Sequence, residues 1–502
     1  MARVARPSHP PGRYPVVIVG SGPGGIQMSY ALSRLGVEHA FLSADDAPAG
    51  MFQRFPFFQR LISWTKPYAP HERGTRAYQR YDWNSLIAED PAHNALVPRR
   101  MDGTSSFPSR EEMELGIADF VRRTRMKIRY GCRWEGTSRE EDGSGFTIHT
   151  SDGDYRCGVF VCAVGMTEAW KPDIPGLDRV PHYVNVKQAR RYAGKDIVII
   201  GKRNSGFELA DGLLPWARTI TLVSPRPTRL SIQIYSPAAA RARYMQPYEE
   251  HVLGSGGVYV LDAAIERVSR GSDGWKVIAQ GTTAPGRIVL PADEVIAATG
   301  FGTPLRDLGD LGVKTFFSNR LPSQTPWWES ATVPGIYFAG SITQGSIGLK
   351  KYGQVSSSAS VHGFRYNALV LARHLAETRF GVRPRRRKMR ADAVAGYLLK
   401  EAAEAPELWN QRSYLCRSVV ADAGRGIVDD GIVPLAQFVD APGPDGVAVT
   451  VETTDTGVMQ PAIYVRSGGR VEEHILETDP LLRFRTRDNR ARLDAILKGL
   501  FD

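Results

Sequence analysis

Cysteine is scarce in this chain. Its 502 residues hold four, Cys132, Cys157, Cys162 and Cys416. No two form a C-x-x-C pair, which excludes a redox dithiol of that spacing and a zinc knuckle. No metal site is expected. Isolated thiols of this kind read as reduced and structural, the usage of a cytoplasmic protein. Long apolar runs are also missing. None approaches the roughly 18 residues a membrane span needs, so no membrane partner is expected. The opening stretch MARVARPSHPPGRYP is basic and Pro-rich but lacks an apolar h-region, so it reads as a short disordered arm and not a secretory leader. Acidic charge is in deficit, with a formal net charge of +11. Part of the excess is one run at 383–390, RPRRRKMR. No nucleic-acid motif accompanies it, so it reads as a solvated linker and no nucleic acid is expected as partner. The diffuse positive field would draw in an anionic coenzyme.

What the chain does have is glycine at particular spacings. Residues 14–25 read YPVVIVGSGPGG, a short apolar run followed by Gly20, Gly22 and Gly25 as G-x-G-x-x-G. IQMSYALSRLG then has helical periodicity and stops at Gly36. Strand, tight turn and helix in this order make a dinucleotide site. A side chain would block the corner and the approach of a pyrophosphate, and the helix N-terminus offers it free N–H groups and a positive dipole end. Gly20, Gly22, Pro23, Gly24 and Gly25 are the candidate contacts.

The next strand, VEHAFLSADD, usually carries an acid for the ribose at its end. Here that position is Ser43, with Asp45 and Asp46 just beyond. Residues 51–84 are rich in aromatics and poor in periodicity. They wall a cofactor ring or fill core; Met51 and Phe52 are candidate cofactor contacts. Lys66, Asp82, Trp83 and Asn84 are the polar and aromatic candidates for the reacting end, each equally readable as structural. Ser109 is a plausible N-cap for EEMELGIADFVRRTR. VFVCAVG ends in a small-residue turn at Gly165.

A second strand–glycine turn–helix unit opens at KDIVIIGKRNSGFELADGLL. Gly201 and Gly206 hold the outer positions, Arg203 replaces the middle glycine, and Asn204 and Ser205 begin the helix. The following strand ends in Ser224, Arg226 and Arg229. Hydroxyl and guanidinium groups there suit a 2′-phosphate and so favour NADPH. GIYFAG ends at Gly340-Ser341, which would aim a helix N-terminus at the first cofactor, and a helix follows from about Ser358. His362 and Arg365 on it face that cofactor or satisfy core hydrogen bonds. Beyond Arg390 the stretch AVAGYLLKEAAEAPELWNQ reads as helix, GIVPLAQFVDAP, GVAVTVETTD and PAIYVRSGG as strands, and the end as helix.

The segments GSGPGGIQMSYAL, RLISWTK, DWNSL, GKRNSGFELA, YFAGSIT and HGFRY together resemble the flavin-containing monooxygenases and, more closely, the FAD-dependent oxidoreductase-domain proteins related to them. The resemblance implies an α/β fold with two Rossmann-like, three-layer dinucleotide-binding domains, the second inserted in the first, plus a small α+β C-terminal extension. The expected parts are an FAD domain at 1–180 and 295–382, an NADPH domain at 181–294, a basic linker at 383–392 and a C-terminal domain at 393–502. That last domain is the candidate surface for a homo-oligomer. FAD is implied at Gly20, Gly22 and Gly25 and around Gly340 and Ser341, and NADPH at Gly201, Asn204, Ser205 and Gly206. Three departures stand out: Ser43 for the strand-end acid, Thr65 for the family's Asn before Lys66, and a broken F-x-G-x-x-x-H fingerprint. The leading expectation is an NADPH-dependent monooxygenase that uses O2 and a flavin C4a-(hydro)peroxide to oxygenate a small nucleophile such as an amine nitrogen. The alternatives are a flavin reductase of a disulfide or other two-electron acceptor, and an NADPH-binding adaptor or redox sensor.

Overall fold

Four consecutive apolar residues, Val16, Val17, Ile18 and Val19, are buried on both faces of the strand Gly12–Val19, the pattern of a parallel sheet covered on each side. The computed structural model describes residues 8–53, 58, 60–236, 239–254 and 256–501. The chain forms two units. One comprises Met1–Gln53, Ser63–Met166 and Thr303–Asp502; the other comprises Arg54–Ile62 and Thr167–Gly302.

In the first unit Gly12–Val19 lies parallel to His39–Leu42 and to Gly153–Cys162, with Val17 opposite Ala40 and Phe160. The long strand Gly153–Cys162 is shared. Its outer half pairs antiparallel with Phe146–Thr150, which pairs with Trp134–Arg139, and its inner end pairs parallel with Ile336–Phe338. The late strand thus returns to the same sheet beside Gly153–Cys162 and brings Gly340 with it. The helix Pro23–Arg34 packs against the long helix Val361–Phe380. Ser109 caps the helix Arg110–Arg123 in a full capping box with Glu112. The expected disordered arm does not extend to Gly12–Tyr14, which open the first strand. Residues 1–7 lie outside the described residues, but the carbonyl of His9 accepts from the Tyr155 hydroxyl at 2.8 Å and its ring meets the Lys127 carbonyl at 3.1 Å.

The same unit holds the C-terminal residues as an antiparallel sheet in the order Arg387–Lys388, Gly426–Pro434, Leu415–Asp422, Gly446–Thr453, Met459–Ser467, Arg470–Ile475. Helices Ala391–Glu404 and Arg487–Ile496 pack together on it around Leu398, Val449 and Phe484. Two readings change here. The stretch GIVPLAQFVDAP is not one strand: Pro434 cannot donate to the ladder, the strand ends there, and Leu435–Asp440 is a short helix. The basic stretch 383–392 is not a free linker either. Arg386 bridges Glu377 at 2.8 Å and Asp430 at 2.7 Å, and Arg387–Lys388 adds an edge strand.

In the second unit the strand Asp196–Ile200 lies parallel to Thr219–Ser224 and Glu294–Ala297, and Val258–Gly271 continues the parallel set. Gly274–Gly281 and Arg287–Ala292 extend it as an antiparallel meander. Its entry and exit segments pair through Glu168–Ala169 and Phe301–Gly302, so the unit encloses the expected span 181–294 and reaches beyond it. Among the described residues no helix is long and apolar enough to cross a membrane.

Candidate active site

The first glycine turn is shaped by what its glycines leave out. Gly20 has φ +108°, and a Cβ there would lie 2.6 Å from the Ala163 carbonyl oxygen. A Cβ on Gly25 would lie 2.0 Å from the Gly20 oxygen, and one on Gly24 would lie 2.2 Å from the Gly340 Cα. These positions bring helix, strand and the 340 turn into backbone contact. Gly22 differs: a Cβ there would meet nothing within 4 Å, so its missing side chain opens space in front of the helix. That helix has Pro23 in its first turn, no side-chain cap and no acid in its first turn. An open N-terminus behind a cleared corner fits a pyrophosphate.

The other predicted contacts of this unit gather around the same turn. Ser43 is buried, its hydroxyl 2.7 Å from that of Ser21 and accepting from the Asp45 amide at 3.1 Å. It therefore braces the turn. The Ala49 amide donates to the Ser21 carbonyl at 2.8 Å, which draws in the 3₁₀ turn Gly50–Gln53 with Met51 and a buried Phe52. Gly165 has φ +72°, and the next amide, Met166, donates to the Ser341 hydroxyl at 3.3 Å. The helical turn that starts at Gly340 is six residues of 3₁₀ helix, Gly340–Gly345. The long helix begins at Val361, after Ser360.

Three of the four catalytic candidates meet in one cluster, Asp82 and Asn84 buried and Trp83 half-buried. Asp82 Oδ1 accepts from the Thr65 hydroxyl at 2.9 Å and from the Asn84 and Ser85 amides at 3.1 Å each. The Asn84 side-chain amide donates to the Ser63 carbonyl at 2.9 Å and to Thr65 Oγ1 at 3.0 Å. Trp83 lies between the rings of Trp64 and His362, with 3.8 Å between centroids on each side. Arg365 is fully buried. It donates to the Ser85 carbonyl at 2.6 Å and the Gln79 carbonyl at 2.9 Å, and among the described residues its Nε has no hydrogen-bond partner. The stretches DWNSL, HGFRY and 63–65 are thus one clamp. Lys66 is not part of it: its side chain is exposed, while its amide donates to the Tyr81 carbonyl at 3.0 Å.

The second glycine turn repeats the first in its own unit. Gly201 has φ +126° and would clash with the Ala298 oxygen at 2.3 Å; Gly206 would clash with the Gly201 oxygen at 2.1 Å. Arg203 takes the middle place as an exposed N-cap, and the helix Asn204–Leu213 has no acid in its first turn. Ser205 lies in that turn. Asn204 is turned to another task. Its side chain donates to the Ala239 carbonyl at 3.1 Å and accepts from the Arg241 amide at 2.9 Å, tying residues 239–241 to the helix start. Ser224 ends its strand, and Arg226 and Arg229 beyond it are exposed.

One pair here escaped the sequence reading. Lys202, inside the turn, is buried and ion-paired to Asp262, which also accepts from the Thr283 hydroxyl at 2.8 Å. Burial opposes ionisation of Asp262, yet Lys202 and Thr283 outweigh it and hold its pKa below the usual carboxylate value. Asp262 stands opposite Ser224 in the sheet register, so the carboxylate beside that strand end is already neutralised. A lysine within a glycine turn was its one sequence signal.

Two glycine turns of this geometry, each at the start of a helix, are built to hold two dinucleotides. The profile of the pyridine nucleotide-disulphide oxidoreductases matches residues 17–340. The chain belongs to this family. It is a family of FAD- and NADP-dependent oxidoreductases, and both turns fall within the matched residues. The chain is 25% identical over 395 residues to the mouse FAD-dependent oxidoreductase domain-containing protein 2, a match covering 73% of this chain and 58% of that protein. It therefore spans little more than half the length of that relative. Two solved structures share the fold. The bacillithiol disulfide reductase of Staphylococcus aureus gives a TM-score of 0.55 at 16% identity, covering 73% of this chain and 99% of that one. The flavin-containing monooxygenase of Stenotrophomonas maltophilia gives 0.55 at 19%, covering 73% and 98%. Residues after 340, the long helix and the C-terminal sheet among them, lie outside the family match.

Proposed function

We propose that this flavoprotein is an NADPH-dependent monooxygenase that inserts one oxygen atom of O2 into a small soft nucleophile, an amine nitrogen being the preferred target. NADPH and a proton supply the two electrons and the hydrogen that leave the second oxygen atom as water. Bound at the first glycine turn, FAD supplies the two-electron chemistry between NADPH and O2. Residues of the chain orient and shield. The open corner at Gly22 and the bare helix N-terminus hold the pyrophosphate. The exposed Arg203 and Arg226 and the half-buried Ser224 suit the phosphates of NADPH. Asp82 and Asn84 act as positioning residues, because their hydrogen bonds keep 63–65 and 82–85 together and keep water out of the clamp.

One observation carries the choice against a dithiol relay. All four thiols are free and buried, and burial pushes Cys157 and Cys162 up to about 12 and raises Cys132 and Cys416 as well. A protonated, enclosed thiol is a poor nucleophile, so electrons leave directly to a small acceptor. Free thiols also support a cytoplasmic setting. A second reading, direct reduction of a disulfide or similar acceptor, is favoured by Thr65, whose hydroxyl is spent on Asp82 where the resembled family has an amide.

The test is anaerobic reduction of the FAD-loaded protein with NADPH, then admission of O2 with and without a panel of primary amines. The monooxygenase reading expects amine-dependent hydroxylamine at about one per NADPH consumed. Rapid NADPH oxidation with a disulfide and no oxygenated product would replace it with the second reading. Failure of NADPH to bleach the flavin would remove both.

A further inference from the structure

Between the C-terminal half of the long helix Val361–Phe380 and the C-terminal sheet lies a cavity of about 380 Å³, a size suited to a small ligand. All of it belongs to the first unit, and none of its lining residues except Trp327 falls within the family match. Val420, Val428, Ile432 and Phe438 give it apolar walls. Trp327 stacks flat on His374 at 4.0 Å and 6°, and burial pushes His374 down to about 4, so that ring pair is uncharged at neutral pH.

Two guanidiniums in this lining lack a hydrogen-bonded carboxylate. Arg466 is buried and donates only to backbone carbonyls, those of Phe438, Ala441 and Pro444. Among the described residues no carboxylate comes within 4.0 Å of it. Arg373 has its nearest carboxylates, Asp430 and Glu377, at 3.9 and 4.0 Å, beyond hydrogen-bond reach. Those two acids are held closer by Arg386, at 2.7 and 2.8 Å, and Asp422 accepts from the Gly424 amide at 2.9 Å. The sequence also keeps room for one of these cations: at Gly443, where the backbone is not left-handed, a Cβ would lie 2.2 Å from Arg466 Nη1. Besides its carbonyl partners Arg466 meets the Phe438 ring, whose centroid lies 4.4 Å from its guanidinium carbon. A buried cation with no carboxylate beside it costs stability unless something compensates it, and a carboxylate accepts two parallel N–H bonds from a guanidinium.

We propose that this cavity is a third binding site, separate from the two dinucleotide turns, for a small carboxylic acid with an apolar body. Its carboxylate meets Arg373 and Arg466 and its apolar part rests on the valine, isoleucine and phenylalanine wall. The site shares its helix with His362 and Arg365, and its existence does not depend on which acceptor the flavin uses.

Calorimetric titration of the full-length, FAD-loaded protein tests this with 3-phenylpropionate against the uncharged 3-phenylpropionamide. The acid is expected to saturate one site and the amide to bind at least about 10-fold more weakly, a difference of roughly 1.4 kcal/mol. R373M should lose about 10-fold in affinity for the acid, leave the amide unchanged and retain the flavin spectrum, which confirms that it is folded. Equal binding of acid and amide, no saturation by either, or wild-type affinity for the acid in R373M overturns the proposal. The acid–amide comparison on the wild type stands even if the variant fails to fold.

Discussion

Two neighbouring glycines of the first turn make opposite demands. Gly24 touches Gly340, so even one methyl group there must push two backbones apart; Gly22 faces open space. Gly24→Ala is therefore expected to lower the melting temperature of the apoprotein by several degrees, an overpacking cost of about 1–3 kcal/mol. Gly22→Ala should leave the apoprotein as stable as wild type and weaken FAD binding by about 10-fold or more, because its methyl enters the space left for the pyrophosphate. Thermal melts and FAD titration of both apoproteins separate the two effects. A Gly22→Ala protein that binds FAD normally would show that the cofactor does not use this corner. At this scale much was readable in advance. The spacing G-x-G-x-x-G states a backbone requirement, and such requirements are local. What Ser43 does was not readable: a strand-end serine could face a ribose, and only the fold shows its hydroxyl on Ser21.

At the scale of elements, pairing decides stability. The strand Asp196–Ile200 of the second unit starts with a carboxylate that accepts from Arg218 at 2.9 Å and from the Thr219 hydroxyl at 2.7 Å, and these bonds hold Asp196 at about 2. The folded pKa lies below the unfolded value of about 3.9. The contribution is therefore fully present above pH 4 and is lost as the pH falls towards 2. Urea melts should find Asp196→Asn less stable than wild type at pH 7, with the gap narrowing at pH 3. A gap independent of pH would refute the assignment. The exposure of this pair, 59% for the Arg218 side chain and 35% for that of Asp196, keeps the effect small and salt-sensitive. The sequence marked the strand, the glycine turn and the helix here, because alternation, apolar runs and punctuation are encoded locally. It did not mark the clamp. Arg365 and Ser85 are 280 residues apart, and nothing in either segment names the other.

Over the whole chain, the C-terminal residues are built into the first unit. Tyr414 accepts from the indole N–H of the buried Trp328 at 3.0 Å, Gln411 donates to Asn367 and Ser358, and Glu401 and Glu407 flank Arg76 at 2.9 and 2.8 Å. Removing residues 391–502 would leave Arg76 without its carboxylates and expose the long helix. A truncated chain is expected to aggregate or purify with far less FAD per mole than the full chain, as size-exclusion chromatography and flavin absorbance will show. A truncated monomer with full FAD would mean that this region is dispensable for the first turn.

Short segments alone marked the two dinucleotide units, their order, and the exclusion of a C-x-x-C relay, since glycine spacing, strand runs and cysteine placement are local properties. The tertiary structure alone decided that Asp82, Asn84, Trp83, His362 and Arg365 form one clamp, that Lys202 is spent on Asp262, and that Arg373 and Arg466 share a cavity. Those facts depend on which distant segments the sheets and the long helix bring together, and side-chain hydrogen bonds and ion pairs are made only after that packing has occurred.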